Sequence, residues 1–140
     1  TTPTLPAPLT VTGDARVTLY VSRDAPDTDF MVRLCDVDEA GRSVKLADGI
    51  LAARFRNGFS APEYLEPGKV EKLVIRTSKI SHCFLPGHRL RVSVTSGAKH
   101  FVFPNSNTKD AYNSTESRVA HNTVWHGGAA PSHILLHVER

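Results

Sequence analysis

The 140-residue sequence has few of the features that mark several large classes of protein. It contains no run of three lysines or arginines, and its net charge is only +3, so nucleic acid is not an expected partner. No apolar run approaches the roughly 20 residues that a helix needs to cross a bilayer, so no membrane contact is expected. Aromatic residues make up only 7% of the chain, which leaves few side chains for stacking on sugars. Its two cysteines, Cys35 and Cys83, are too few for a disulfide framework and are expected to be free thiols.

Helical periodicity is also missing. No segment of a dozen residues has apolar residues at i, i+3, i+4 and i+7, which excludes long amphipathic helices. Short alternating segments recur instead, and the clearest is residues 88–95, which follows the turn Pro86-Gly87 and is expected to be a central strand. This pattern predicts strands at residues 9–12, 16–22, 30–37, 44–47, 50–55, 70–77, 80–84, 88–95, 122–126 and 133–139.

These strands predict an all-β protein, and the long connections between some of them favour a jelly-roll β-sandwich over a simple meander. The dipeptide Asp48-Gly49 is a strong hairpin signal, so a turn is expected there. The alternation also predicts which side chains form the core: Val17, Leu19, Val21, Leu34, Leu73, Ile75, Leu90, Val92, Val94 and Leu135.

The length of the chain suits a single domain with a real hydrophobic core. Residues 1–8 are rich in proline and threonine and are expected to be a linker from a preceding domain, with residues 9–140 forming the sandwich. The first residues show neither a charged n-region nor an apolar h-region, so no signal peptide is expected. The sequence leaves the compartment undetermined, and the expectation is a cytoplasmic bacterial protein.

Sequence motifs for catalysis and metal binding are weak. The nearest match to the nucleophile elbow G-x-S-x-G is residues 58–62, GFSAP, in which a proline replaces the second glycine around Ser60. His133 and His137 have the spacing of a helical zinc pair, but on a strand they would lie about 13 Å apart. We therefore expect no catalytic residue, no metal site and no cofactor in this chain.

Polar residues cluster in an acidic turn and in an asparagine-rich loop. The turn carries three aspartates that suit either calcium or the capping of backbone N–H groups, and capping is favoured: Asp24, Asp27 and Asp29. The loop, residues 104–108 (PNSNT), is expected to be ordered, and each Asn-to-Ala change there to cost about 1 kcal/mol. A sugar is a second possible ligand, which the aspartates would bind together with Asn105, Asn107 and Thr108.

Several segments together resemble one known family. PGHRLRVSVTS followed by NSNT is similar to the C-terminal domain of serine hydrolases typified by X-Pro dipeptidyl-peptidase and the bacterial cocaine-esterase-like (CocE/NonD) acylases. Further similar segments lie in the same order along the chain, at residues 27–30 (DTDF), 34–42 (LCDVDEAGR), 46–56 (LADGILAARFR), 65–75 (LEPGKVEKLVI) and 130–138 (APSHILLHV). The resemblance covers the chain from Pro8 to Val138. It departs from the family at Lys109, where glycine is common, and at His137, where proline is usual.

The resemblance implies a jelly roll of the galactose-binding-domain-like type that follows an α/β-hydrolase catalytic domain. It implies an accessory role, in which this domain packs on the catalytic domain of the same chain and helps to line its cleft, with a homo-oligomer as a further possible assembly. The candidate interface residues are Asp27, Asp29, Phe30, Phe59, Tyr64 and Trp125. The candidate structural loop residues are Gly87, His88, Asn105, Asn107 and Thr108. A carbohydrate-binding module is the alternative, and an independent enzyme would need a site for which no motif is present.

Overall fold

The computed structural model describes residues 1–139, and it folds them into two antiparallel sheets. The first sheet has the strand order β4-β1-β6, with β7 also paired to β1, and the second has the order β3-β2-β5. The strands are β1 (Leu9–Arg23), β2 (Asp29–Val37), β3 (Ser43–Ala52), β4 (Glu71–Phe84), β5 (Arg89–Thr95), β6 (Asn122–Trp125) and β7 (His133–Leu135). Two short 3₁₀ turns, Ala53–Phe55 and Ala111–Asn113, complete the regular structure of the described residues, in which no helix could cross a membrane. The predicted all-β sandwich is confirmed.

The core lies between the two sheets and is built from alternate residues of their strands. Seven of the ten side chains predicted to be buried are buried: Val17, Leu19, Val21, Leu34, Leu73, Ile75 and Leu90. Leu135 is 52% exposed, and that prediction was wrong because its neighbour Ile134 packs on the core instead. Val92 is half-buried and Val94 is 38% exposed, although both belong to the same alternating face as Leu90.

Several predicted strand boundaries were wrong. The Asp48-Gly49 hairpin does not exist, because β3 runs straight through both residues, which pair with Arg33 and Val32 of β2. Asp48 instead accepts a hydrogen bond of 2.8 Å from Arg33 Nε. The predicted breaks near residues 13 and 78 are also absent, so β1 and β4 are long strands that pair along most of their length.

The strand expected to be central is an edge strand in the described residues. β5 pairs with β2 on one side only, and β2 is the middle strand of its sheet. The other edge of β5 meets the segment 1–8, where Thr2 N donates to Leu90 O at 2.9 Å and Leu5 N donates to His88 O at 2.8 Å. The proline-rich start of the chain therefore lies against the sandwich without forming a strand of its own.

Candidate functional site

The acidic turn and the asparagine-rich loop meet in a polar network built around two buried carboxylates at one end of the sandwich. Asp27 is 0% and Asp29 is 2% exposed. The Nδ2 amide of Asn105 donates to Asp27 Oδ2 and to Asp29 Oδ1, both at 2.8 Å. One amide group thereby joins two carboxylates and fixes the long connection after β5 to the beginning of β2. We call the side chains of Asp27, Asp29, Arg54, Asn105 and Tyr112 the acidic-turn network.

Arg54 supplies the positive charge of the network. Its backbone N donates to Asp27 Oδ1 at 3.2 Å, and its Nη1 donates to Asp27 Oδ2 at 2.5 Å. The guanidinium also lies over two aromatic rings, 4.8 Å from the centre of Phe55 and 5.0 Å from that of Tyr112. Burial alone would lower the pKa of Arg54, but the hydrogen bond and the attraction to Asp27 outweigh it and raise the pKa. The buried carboxylate thus has a permanently charged partner.

Tyr112 closes the other side of the network. It lies in the 3₁₀ turn Ala111–Asn113, and its hydroxyl donates to Asp29 Oδ2 at 2.7 Å. Burial and then the neighbouring Asp29 raise the pKa of Tyr112, so the hydroxyl keeps its proton and remains a donor at neutral pH. The network therefore ties three separate segments together: the acidic turn, the residues after β3 and the connection between β5 and β6.

The asparagine-rich loop is held by further hydrogen bonds of its own. Asn105 Oδ1 accepts from the backbone N of Asn107 at 2.8 Å, and Asn107 Nδ2 donates to Arg118 O at 2.8 Å. Asn107 has φ 61°, in the left-handed region that asparagine tolerates better than most residues. The hydroxyls of Ser106 and Thr108 are 2.8 Å apart and share a hydrogen bond. The loop is thus an ordered structure rather than a simple connection.

The other two candidate loop residues lie at the opposite end of β2. Gly87 has φ +81°, and a Cβ at this position would meet Glu39 Oε1 at 2.4 Å. His88 Nδ1 and His82 Nε2 each bond one oxygen of Asp36, at 2.8 and 2.9 Å. Because His82 belongs to the first sheet and Asp36 to the second, this arrangement bridges the two layers.

The six interface candidates divide into two groups. Asp27, Asp29 and Phe30 are buried within the chain itself, so they offer no surface to another domain. Phe59 is 84% exposed, in the loop that follows the 3₁₀ turn after β3. Tyr64 belongs to the same loop, and its hydroxyl donates to Lys109 O at 2.8 Å, which joins that loop to the asparagine-rich one.

Trp125 lies elsewhere, on β6. Its neighbour Val124 packs against the core, so Trp125 projects from the outer face of the first sheet, where its Nε1 donates to Ser22 Oγ at 2.9 Å. Sequence reasoning missed two exposed aromatic residues, Phe101 (60%) and Phe103 (83%), because they sit in a connection without any periodic pattern. Their position directly before the asparagine-rich loop was the available signal.

The aspartate oxygens are used within the chain. Asp24 Oδ1 and Oδ2 accept from the backbone N and from Nδ1 of His121, at 2.9 and 2.7 Å, and these bonds lower the pKa of Asp24. Asp27 and Asp29 accept from the donors described above. Residues 1–139 contain no group of three histidine, cysteine, aspartate or glutamate side chains arranged to hold a metal ion. The sugar-binding alternative therefore loses the free carboxylates on which it depended. Ser60 is exposed and has no hydrogen-bonded base among the described residues.

The fold and the acidic-turn network define a β-sandwich module whose buried polar groups serve its own packing. The family described as the X-Pro dipeptidyl-peptidase C-terminal non-catalytic domain matches residues 1–135, and this chain belongs to that family. The cocaine esterase of Rhodococcus sp. is 38% identical over 138 residues, which covers 96% of this chain and 24% of that protein. A putative serine esterase of Mycobacterium bovis is 33% identical over 113 residues, which covers 68% of this chain and 18% of that protein.

Solved structures agree with this assignment. An aminopeptidase from a marine sediment Thaumarchaeota archaeon matches 99% of this chain with a TM-score of 0.93 and 29% identity. An α-amino acid ester hydrolase matches 98% with a TM-score of 0.92 and 26% identity. The chain spans 25% and 24% of the lengths of these two proteins, so it matches about one quarter of each of them. The chain is thus similar to the non-catalytic C-terminal domain of CocE/NonD-type hydrolases, as the sequence predicted.

Proposed function

We propose that this domain packs on the α/β-hydrolase catalytic domain of a serine hydrolase and completes one side of its substrate cleft. The contact surface is the end of the sandwich that carries the acidic-turn network, and we call its exposed aromatic pair, Phe59 and Phe103, the end-face phenylalanines. The similar proteins are an esterase, an aminopeptidase and an amino acid ester hydrolase, so the proposed parent reaction is acyl transfer on esters or amides. This domain contributes position and shape, and the catalytic domain contributes the nucleophile.

The observation that carries the proposal is the exposure of two large aromatic side chains that lie close in the chain to residues of the acidic-turn network. Phe59 and Phe103 are 84% and 83% exposed. Phe59 follows Arg54 by five residues and Phe103 precedes Asn105 by two, so both lie close in the chain to residues anchored in the network. Aromatic side chains are enriched at protein interfaces, and a rigid support lowers the entropy lost on binding. An exposed phenylalanine on an anchored loop is therefore better suited to docking than to solvent.

The test uses the full-length hydrolase with Phe59→Ser and Phe103→Ser combined. Burial of a phenylalanine side chain contributes about 1.5–3 kcal/mol, so losing two weakens the domain contact by about 3–6 kcal/mol. We expect calorimetry to resolve two unfolding transitions in place of one, together with lower turnover of p-nitrophenyl esters and Xaa-Pro anilides. The isolated domain should unfold as before, because both side chains are exposed in it.

The matched control is Phe101→Ser. Phe101 is 60% exposed, but its ring lies 5.6 Å from the ammonium group of Lys45 of β3, so it already has a partner within the chain. This variant should keep one transition and full turnover. A single transition and unchanged turnover in the double variant at positions 59 and 103 would contradict the proposed contact surface.

A further inference from the structure

An apolar cleft opens between the two sheets beside β5. Its volume is about 530 Å³, and its wall consists mostly of aliphatic side chains from both layers, including Val92, Val94, Val124 and Ile134. Thr1 and Thr2 lie at its lip. The cleft explains why Val92 and Val94 are more exposed than their alternating pattern predicts: they point toward the core, but nothing in residues 1–139 covers them.

The free edge of β5 borders the same cleft. Leu90 N donates to Thr2 Oγ1 at 3.1 Å and Leu90 O accepts from Thr2 N, so the backbone groups of Leu90 point away from β2. Backbone N–H and C=O groups alternate sides along a strand, so those of Val92 and Val94 point to this edge as well. Neither residue has a backbone partner there among the described residues. An open edge next to an apolar cleft is a site for one more strand.

The direction in which the first residues run along β5 indicates which segment would form the additional strand. Thr2 bonds Leu90 and Leu5 bonds His88, so the segment runs antiparallel to β5. If the chain continues backward from Thr2 along β5, the residue two positions before Thr2 would lie opposite Val92. The residue four positions before Thr2 would lie opposite Val94. Directly opposed residues of antiparallel strands point to the same face, so those two earlier positions would face the cleft.

We propose that the segment directly preceding Thr1 in the longer hydrolase chain adds to β5 as a fourth strand of the second sheet and fills the cleft with alternating apolar side chains. The family is a C-terminal domain, and the matched relatives are about four times as long as this chain, so a preceding segment is available in proteins of this kind. This proposal goes beyond docking of the catalytic domain, because the added strand belongs to the sandwich itself and does not require the end face.

The test compares the 140-residue chain with the same chain extended by the roughly eight natural residues before Thr1, enough at about 3.3 Å per residue to pass Val94. Amide hydrogen exchange is the measurement. We expect exchange at Val92 and Val94 to slow at least tenfold in the extended chain. The amides of Arg91 and Ser93, which point to β2, serve as internal controls and should be equally protected in both chains.

A pair of variants tests the cleft. Val94→Asp in the extended chain should abolish the added protection at Val92, because a charge would lie under the new strand. Val44→Asp is the matched control, since Val44 is 59% exposed on β3 at the other edge of the same sheet, and it should leave that protection unchanged.

Three results would overturn the proposal. The first is equally fast exchange at Val92 and Val94 in both chains. The second is protection that requires the whole catalytic domain rather than the short extension. The third is protection of the 140-residue chain that rises with its concentration, which would assign the edge to a second copy. None of these depends on the end-face phenylalanines, so failure here and failure of the proposed function are distinguishable.

Discussion

Replacing Asn105 with alanine removes the single amide that joins the two buried carboxylates. Its Nδ2 donates two hydrogen bonds to charged acceptors, Asp27 and Asp29, and its Oδ1 accepts one from the backbone N of Asn107, whereas the methyl group of alanine makes none. A hydrogen bond to a charged group is worth about 1.5–3 kcal/mol, so the two together amount to about 3–6 kcal/mol. Asp27 keeps Arg54 and Asp29 keeps Tyr112, so neither carboxylate loses every partner. We therefore expect a loss near the lower limit, about 3 kcal/mol.

Asn107→Gly is the matched control in the same loop. Asn107 donates one exposed hydrogen bond to a neutral carbonyl, which is worth about 0.5–1.5 kcal/mol. Glycine keeps the left-handed φ of 61° without strain, so only that bond is lost. The structure thus changes the expectation from equal losses at the two asparagines to a loss roughly three times as large at Asn105.

Urea unfolding of the isolated domain measures both losses. The midpoint should fall much further for Asn105→Ala than for Asn107→Gly, with the slope m unchanged if both variants unfold from the same compact state. Equal losses of 1 kcal/mol or less would show that water replaces the amide and that the network does not anchor the loop. A changed m would show instead that the connection between β5 and β6 is released before global unfolding.

Two further predictions concern titration and thiol chemistry. Tyr112→Phe removes a donor to buried Asp29 and should cost about 1.5–3 kcal/mol at neutral pH. Because folding raises the pKa of Tyr112 above its ordinary value of 10.0, the contribution of its hydroxyl to stability should be complete below pH 10 and lost as the pH rises through the folded pKa. Urea unfolding of both forms from pH 8 to 11 should therefore show the difference in stability shrinking at the upper end. Cys35 is 4% exposed and Cys83 is exposed, so a thiol reagent should modify one cysteine per native chain and two after denaturation, whereas none after denaturation would indicate a disulfide.

The alternation of apolar and polar residues was enough to predict the fold class. Val17, Leu19 and Val21 identify a strand by period alone, and a sandwich is the simplest way to bury several such faces. The acidic-turn network could not be derived in this way, because Asn105 lies 78 and 76 residues from its two aspartates in the chain. Local patterns marked both the acidic turn and the asparagine-rich loop as ordered, but only the folded topology brings the two together.

Val92 and Val94 show a different kind of limit. Their alternation with Leu90 predicts burial, and the side chains do point inward, yet the cleft above them is open. The strand proposed to add to β5 would cover both side chains, which is the burial that the periodic pattern predicts. Side chains that point inward but stay uncovered are therefore a stronger reason to propose a further strand than an exposed side chain on an outer face is.

The Asp48-Gly49 dipeptide was misinterpreted because glycine has two uses that the sequence alone cannot separate. It supplies the positive φ of a tight turn, or it lets another backbone approach closely. Gly49 has the second role: a Cβ there would lie 2.4 Å from the carbonyl oxygen of Arg76 in β4, which is backbone and cannot move aside as a side chain does. Asp48 beside it pairs with Arg33, so neither residue serves a turn.

Gly49→Ala should therefore force the two sheets apart at the point where β3 crosses β4. Overpacking of a core costs about 1–3 kcal/mol and occasionally more, and the contact with rigid backbone favours the upper end of that range. Gly41→Ala is the control, because Gly41 has φ +84° but nothing within 4 Å of its Cβ position, so it reports backbone strain of about 1–2 kcal/mol without any clash. Urea unfolding should show the larger loss at position 49. If the loss at Gly41 is equal or larger, the close approach of the sheets is not what requires glycine in β3.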